Sequence, residues 1–417
     1  MNTAIIKKSA LFGEVKAVPS KSYAHRILIC SAFSDEQVRV NGAGSSADVI
    51  ATANCLSAMG AKIKTDGNDF IVTPVKRTKN CVFNCGESGS TLRFMLSVAA
   101  AAGGEFTFTG EGRLPYRPNG DLIETLASGG VTADGEGLPL KIKGKLKSGN
   151  YTIDGGKSSQ YATGLLLAAP LIGGDVRIEI TGALNSGNYI DVTLDVMKLF
   201  GVKVLREGNS FFIEGGQRYI SPKAITVEGD WSNAAFPLAA GILTGEVKVT
   251  GLNAESVQGD RAIIDIFRLF GGDIEYKNGV YIAKKSPLKC AEVNVENVID
   301  AAPIISVIAA FAEGKSVISG AGRLKLKESD RLAAIIELVS AVGGKAVTDG
   351  ETLYIEGRTK EISGGAVSGR NDHRIVMSAA IAGAASGIKV TDIEAVKKSY
   401  PAFFADYSGL GGVFDVE

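Results

Sequence analysis

The sequence predicts an α/β protein of six similar units grouped as two domains, and three observations carry that expectation. First, a helix-like stretch ending in glycine and running into a short strand recurs at Met59-Gly60-Ala61-Lys62-Ile63, Ser128-Gly129-Gly130-Val131, Phe200-Gly201-Val202-Lys203-Val204, Phe270-Gly271-Gly272-Asp273-Ile274, Val342-Gly343-Gly344-Lys345-Ala346 and Leu410-Gly411-Gly412-Val413-Phe414. The glycines at 60, 129, 201, 271, 343 and 411 are spaced at about one sixth of the 417-residue chain. Second, Ser20, Gly89, Ser158, Asp230, Asp300 and Asp372 keep the same period, each opening another helical stretch such as 22–33, 91–102 or 160–171. Third, short alternating segments such as Phe211-Phe212-Ile213-Glu214 and Leu353-Tyr354-Ile355-Glu356 read as strands.

Each element has a local reason. Glycine just past a helix end suits the left-handed cap. Asp48, Asp121, Asp191, Asp260 and Asp330 each precede an apolar-periodic run, where a carboxylate caps the helix and meets its positive end. The apolar runs at 165–173 and 301–312 read as buried helices. Units of this size imply two domains of three. The second helix series opens with Ser, Gly and Lys in the first three units and with Asp in the last three. One half thus offers hydroxyls and cations, the other carboxylates.

Composition narrows the function. Lys+Arg and Asp+Glu both number 45, and 45% of residues are hydrophobic, which excludes disorder. Zero net charge argues against nucleic acid as a partner while leaving room for local basic pockets. No signal-type apolar region follows Met1, and no apolar run reaches the ~18 residues of a membrane helix, so a cytoplasmic protein without a membrane partner is expected. Cys30, Cys55, Cys81, Cys85 and Cys290 are odd in number, sit in apolar surroundings and lack a second Cys/His pair for zinc; they read as free core thiols.

Several segments carry candidate chemistry. Pro19-Ser20-Lys21-Ser22-Tyr23-Ala24-His25-Arg26 starts a helix with hydroxyls, a lysine and an arginine one turn on, an arrangement suited to an anion. Gly86-Glu87-Ser88-Gly89-Ser90-Thr91-Leu92-Arg93 repeats the idea, without the spacing of a P-loop or a dinucleotide fingerprint. Arg113-Leu114-Pro115-Tyr116-Arg117-Pro118 puts two arginines in a proline-stiffened loop. Ser158-Ser159-Gln160-Tyr161 opens a strongly apolar helix and needs polar partners. Lys325-Leu326-Lys327-Glu328-Ser329-Asp330-Arg331 is dense in charge. Asp300 stands in the apolar Val298-Ile299-Asp300-Ala301-Ala302-Pro303 and reads as an N-cap or a functional acid; with Glu328 it could form an acid/base pair. Asn371-Asp372-His373-Arg374 could clamp an anion, and Lys397-Lys398 adds cations. Each of these also has a plain reading as a capped or solvated helix start.

In this order the motifs closely resemble the EPSP synthase (3-phosphoshikimate 1-carboxyvinyltransferase) family, from Lys21 to Pro401. The resemblance implies two similar domains, each of three βαβαββ units with helices inside and sheets outside, an inside-out α/β barrel. The chain would cross twice, giving an N-terminal domain of 20–228 and a C-terminal domain of 1–19 with 229–417, the active site lying in the cleft. It implies shikimate 3-phosphate held by Lys21, Ser22, Arg26, Ser158, Ser159, Gln160, Ser186, Tyr189, Asp300 and Lys327. It implies phosphoenolpyruvate held by Lys21, Gly89, Arg117, Gln160, Arg331, Arg374 and Lys398. The implied chemistry is addition–elimination, with Asp300 favoured as base, Glu328 as acid, and Lys21 or Lys327 assisting. No metal or organic cofactor is implied, and a monomer is expected.

Three positions depart from what the family commonly carries: Glu87 and Arg323 each stand for Asn, and Phe94 for Pro. Two alternatives are a UDP-N-acetylglucosamine 1-carboxyvinyltransferase and a non-catalytic anion-binding repeat protein. The first usually has a loop cysteine ahead of its Arg-Pro, and 111–117 holds none. The acidic pair beside so many cations argues against the second.

Overall fold

A computed structural model describes residues 2–44, 46–78, 80–156, 158–182, 187–357 and 365–417. The chain forms two compact units, Pro19–Val227 and Met1–Val18 with Glu228–Glu417. Among the described residues are six four-stranded sheets, three in each unit.

One repeat shows the plan. Strand Cys81–Asn84, helix Gly89–Ala102, strand Gly104–Thr109, helix Gly120–Ser128 and strands Val131–Ala133 and Leu140–Gly144 follow in chain order. Cys81–Asn84 pairs parallel with Gly104–Thr109. That strand pairs antiparallel with Leu140–Gly144, which pairs antiparallel with Val131–Ala133. All six sheets share this order. The expected βαβαββ repeat is therefore present, with three strands supplied from elsewhere in the chain. Ala224–Thr226 opens the first sheet, beside Val38–Asn41. Phe12–Lys16 opens the sheet of Glu246–Thr250, and Ala4–Lys7 completes the sheet of Ile388–Val390 and Val413–Val416. These last two pairings attach the N-terminal segment to the unit containing 228–417.

The first helix of each repeat is enclosed, whereas central strands such as Val176–Thr181 and Glu246–Thr250 alternate. Every residue of helix Trp231–Thr244 is buried, while Val176–Thr181 alternates buried and exposed residues along its length. A sheet with one face on a core and one in water needs that period of two. Enclosure demands close helix contacts. A Cβ on Gly164, in helix Ser159–Ile172, would lie 2.6 Å from the carbonyl oxygen of Arg93 in helix Gly89–Ala102.

Five caps follow the expected period. Ser20, Ser88, Ser158, Asp230 and Asp372 each accept from a backbone N–H two or three residues on. Asp300 does not hold the N-cap position: it lies inside the short turn Ile299–Ala301, ahead of helix Ala302–Phe311, whose N-cap position is Ala301. Of the other predicted acidic caps, Asp330 caps helix Arg331–Ala341. Asp48, Asp121 and Asp191 instead stand in the first turns of their helices, and Asp260 in a short turn. The predicted glycine conformation holds at 60, 201, 271, 343 and 411; in the second repeat Gly130 takes it in place of Gly129.

The cysteines are free, but Cys290 is exposed and Cys81 half-buried, which corrects their assignment to the core. Cys290 precedes a strand and lies outside the enclosed helices. Among the described residues, no helix is long and apolar enough to cross a membrane.

Candidate functional site

In the unit Pro19–Val227, three helices begin with predicted site residues: Lys21 and Ser22 in Lys21–Ala32, Gly89 in Gly89–Ala102, and Ser159 and Gln160 in Ser159–Ile172. Their first N–H groups have no partner within the helix and carry positive partial charge, which suits anions. Lys21 Nζ lies 2.7 Å from Asp48 Oδ2. Ser158 caps its helix through the Gln160 N–H.

The Gln160 side chain is fixed at both ends. Its Oε1 accepts from Arg93 Nη1 at 2.6 Å, and its Nε2 donates to Ser90 Oγ at 2.9 Å. Arg93 also donates to the Pro118 carbonyl at 3.0 Å, so one buried arginine braces both Gln160 and the loop bearing Arg117. Arg117 crosses directly over Gly89. A Cβ there would lie 2.6 Å from Arg117 Nη1.

Arg26 is buried and heavily committed. It donates to Thr193 Oγ1 at 2.8 Å, to the Ser22 carbonyl at 2.6 Å and to the Tyr189 carbonyl at 2.9 Å. Its guanidinium stacks over Phe94, 5.0 Å from the ring centre, so the residue standing for proline forms its floor. Burial lowers the Arg26 guanidinium to about 10. The Tyr189 carbonyl accepts from Arg26, and the Tyr189 side chain also acts electrostatically on the guanidinium. Glu87 lies against Gly112, at the start of the Arg117 loop. Ser186 lies outside the described residues.

In the other unit, three carboxylates converge on one guanidinium. Arg331 donates to Asp300 Oδ1, Glu328 Oε2 and Asp372 Oδ2, each at 2.8 Å. Lys327 Nζ meets the same Asp300 oxygen at 2.9 Å. Burial opposes the charge on Arg331, but Asp372, Glu328 and Asp300 more than offset it and strengthen its hold on the proton. Burial likewise works against an ionised Asp300. Lys327, Arg331 and Arg374 outweigh it and hold the carboxyl well below the usual carboxylate range. Burial pulls the Lys327 ammonium below its ordinary value despite Asp300 beside it. This is a desolvated cluster of mixed charge, which can hold an anion and exchange protons.

The remaining cations lie at neighbouring helix ends of this unit. Buried Arg374 donates to the Ser232 carbonyl at 2.9 Å, and Lys398 donates to the Asn371 carbonyl at 2.6 Å. Arg370 and Asn371, just ahead of the Asp372 cap, both have φ of 51°. A non-glycine pair in that conformation is uncommon and marks a constrained turn. Arg323 donates to the Glu296 carbonyl at 3.0 Å.

Sequence reasoning missed two side chains that organise these sites. Asp48 read only as a helix-start carboxylate, and Arg93 only as part of a motif. Asp48 lies 27 positions from Lys21 and Arg93 lies 67 from Gln160, separations that no helix or strand period links.

Comparison with known proteins places the whole chain. The sequence model described as EPSP synthase (3-phosphoshikimate 1-carboxyvinyltransferase) matches residues 5–407. A 3-phosphoshikimate 1-carboxyvinyltransferase of Clostridium acetobutylicum is 38% identical over 423 residues, covering 99% of this chain and 98% of the relative. One from Clostridium beijerinckii is 39% identical over 432 residues, covering 100% and 99%. The solved EPSP synthase structure from Acinetobacter baumannii superposes with a TM-score of 0.82 at 24% identity, covering 100% of this chain and 99% of that one; it bears on the fold.

Proposed function

This chain belongs to the EPSP synthase (3-phosphoshikimate 1-carboxyvinyltransferase) family, and we propose how its own residues divide that family's work. It is a transferase of aromatic amino-acid biosynthesis in the shikimate pathway. It moves the enolpyruvyl group of phosphoenolpyruvate to the 5-hydroxyl of shikimate 3-phosphate. In the first half of the reaction the hydroxyl oxygen bonds C2 of phosphoenolpyruvate, a base takes the hydroxyl proton, and C3 gains a proton. In the second half the adduct loses phosphate from C2 and a proton from C3.

Shikimate 3-phosphate takes Lys21, Ser22, Ser158, Ser159, Gln160, Ser186, Tyr189, Asp300 and Lys327, with Arg26 bracing Ser22 and Tyr189 from beneath. Phosphoenolpyruvate takes Lys21, Gly89, Arg117, Gln160, Arg331, Arg374 and Lys398. Asp300 is the base for the hydroxyl proton and Glu328 the acid for C3, and the second half reverses these transfers. Lys21 and Lys327 supply positive charge where the departing phosphate gathers negative charge.

The observation that carries this reading is the junction at Arg331. One buried cation holds Asp300 and Glu328 at equal 2.8 Å distances. An acid and a base so linked change strength together as an anionic substrate draws on Arg331. The depressed Asp300 carboxyl is ionised at neutral pH, ready to accept a proton once substrate relieves it of Lys327. The protein works as a cytoplasmic monomer. Phosphate release from phosphoenolpyruvate tests the reading. Release with shikimate 3-phosphate and none with UDP-N-acetylglucosamine is expected; the reverse would assign the other transferase.

A further inference from the structure

Lys21 opens its helix, and its ammonium pairs with Asp48 in the first turn of helix Ala47–Met59. Both side chains are largely enclosed, at 19% and 14% exposure. The surroundings of Asp48 are themselves fixed. Ser46 caps its helix through the Val49 N–H. The Asp48 carbonyl accepts from Thr91 Oγ1 at 3.2 Å, in the first turn of the Gly89 helix. Thr91 Oγ1 also meets Ser88 Oγ at 2.8 Å and Thr52 Oγ1 at 2.7 Å, and Thr52 meets His25 Nδ1 at 2.7 Å. A single residue thus joins the starts of helices Lys21–Ala32, Ala47–Met59 and Gly89–Ala102.

Lysine is a point charge on a flexible four-carbon stem, so its direction must come from a partner. An ammonium has three donors, of which Asp48 takes one and thereby orients the others. We propose that Asp48 is a positioning residue for the transfer reaction, aiming Lys21 at the anionic substrate. This rests on the reading of Lys21 as a substrate ligand. Charge alone would favour the opposite arrangement, because a carboxylate beside Lys21 reduces the positive field offered to an anion. Charge and geometry therefore predict opposite signs for removal of the carboxylate.

The test is phosphate-release kinetics with phosphoenolpyruvate and shikimate 3-phosphate on four variants: Asp48→Asn, Asp48→Glu, Lys21→Ala and the double variant Asp48→Asn with Lys21→Ala. Thermal melting checks that each is folded. Asp48→Asn is expected to lose about 10–100-fold in kcat/KM, as misplacement by an ångström does. Asp48→Glu should recover part of that loss, and Asp48→Asn should add nothing in the Lys21→Ala background. With Lys21→Ala crippled, wild-type or higher kcat/KM for Asp48→Asn would overturn the positioning role alone. An equal loss in both backgrounds would also overturn it, since Asp48 would not act through Lys21. Wild-type turnover by Lys21→Ala would overturn the reading of Lys21 and this inference with it.

Discussion

Arg331 Nε lies 2.8 Å from Asp372 Oδ2, with the two side chains 1% and 0% exposed. Asp372 also caps helix His373–Ser386 and accepts from Ser329 Oγ at 2.9 Å. The pair holds the charge-rich segment 325–331 against the helix that carries Arg374, within one unit.

Asp372→Asn isolates the charge in that pair, because Asn is as good a helix cap as Asp. Arg331 keeps Asp300 and Glu328 as partners, so the cost should fall below the full broken-pair penalty, at about 1.5–3 kcal/mol, the worth of hydrogen bonds to a charged group. Urea unfolding should show a loss of that order. A change of under about 1 kcal/mol, the size of an exposed pair, would show that the pair is not enclosed as described.

The general architecture was legible in the sequence because it rests on local signals. Glycine after a helix and Ser or Asp before one act within a few residues, so a six-fold period survives in the text of the chain. The carboxylate at 300 breaks that pattern. It occupies the periodic position of a cap, yet its side chain is drawn to Lys327 and Arg331 instead. The Arg331–Asp372 pair joins positions 41 apart, and Lys21–Asp48 positions 27 apart. Such contacts are set by how helices meet in three dimensions, where no single-chain period reaches. The same holds for Ala4–Lys7 and Phe12–Lys16, whose neighbours lie more than two hundred residues away.

His25 supplies a pH dependence of stability. Burial, with Lys21 and Arg26 nearby, pushes its imidazole well below the ordinary value. The folded protein therefore resists a proton that the unfolded chain takes up at about pH 6.5. The sign follows: the contribution is present in full above that value and is lost as pH falls below it. His25→Gln should flatten the decline of unfolding free energy between pH 6.5 and 5.5, which amounts to about 1 kcal/mol over that interval for one such group and approaches about 1.4 kcal/mol per pH unit below it. An unchanged slope in the variant would assign the decline to other residues.

Gly89→Ala should weaken phosphoenolpyruvate binding while leaving the fold intact. The added Cβ would sit 2.6 Å from Arg117 Nη1, the end of a flexible side chain that can move aside. The movement takes the guanidinium from the position proposed to hold phosphoenolpyruvate, where its planar fork suits an anion. KM for phosphoenolpyruvate should rise by about 10-fold or more, since each 1.4 kcal/mol of lost contact is tenfold. Steady-state kinetics with a melting control checks this; an unchanged KM would remove Arg117 from the phosphoenolpyruvate ligands.

The central claim is that Asp300 exchanges the hydroxyl proton, and Asp300→Asn tests it most directly. The amide keeps size and shape, and Asn serves a helix start as well as Asp does. The measurement is single-turnover phosphate release from phosphoenolpyruvate and shikimate 3-phosphate, alongside equilibrium binding of shikimate 3-phosphate. Chemistry should slow by about 10²–10⁴-fold, the usual loss for one acid/base group, while binding weakens far less. Wild-type single-turnover rates in Asp300→Asn would contradict the assignment of the base.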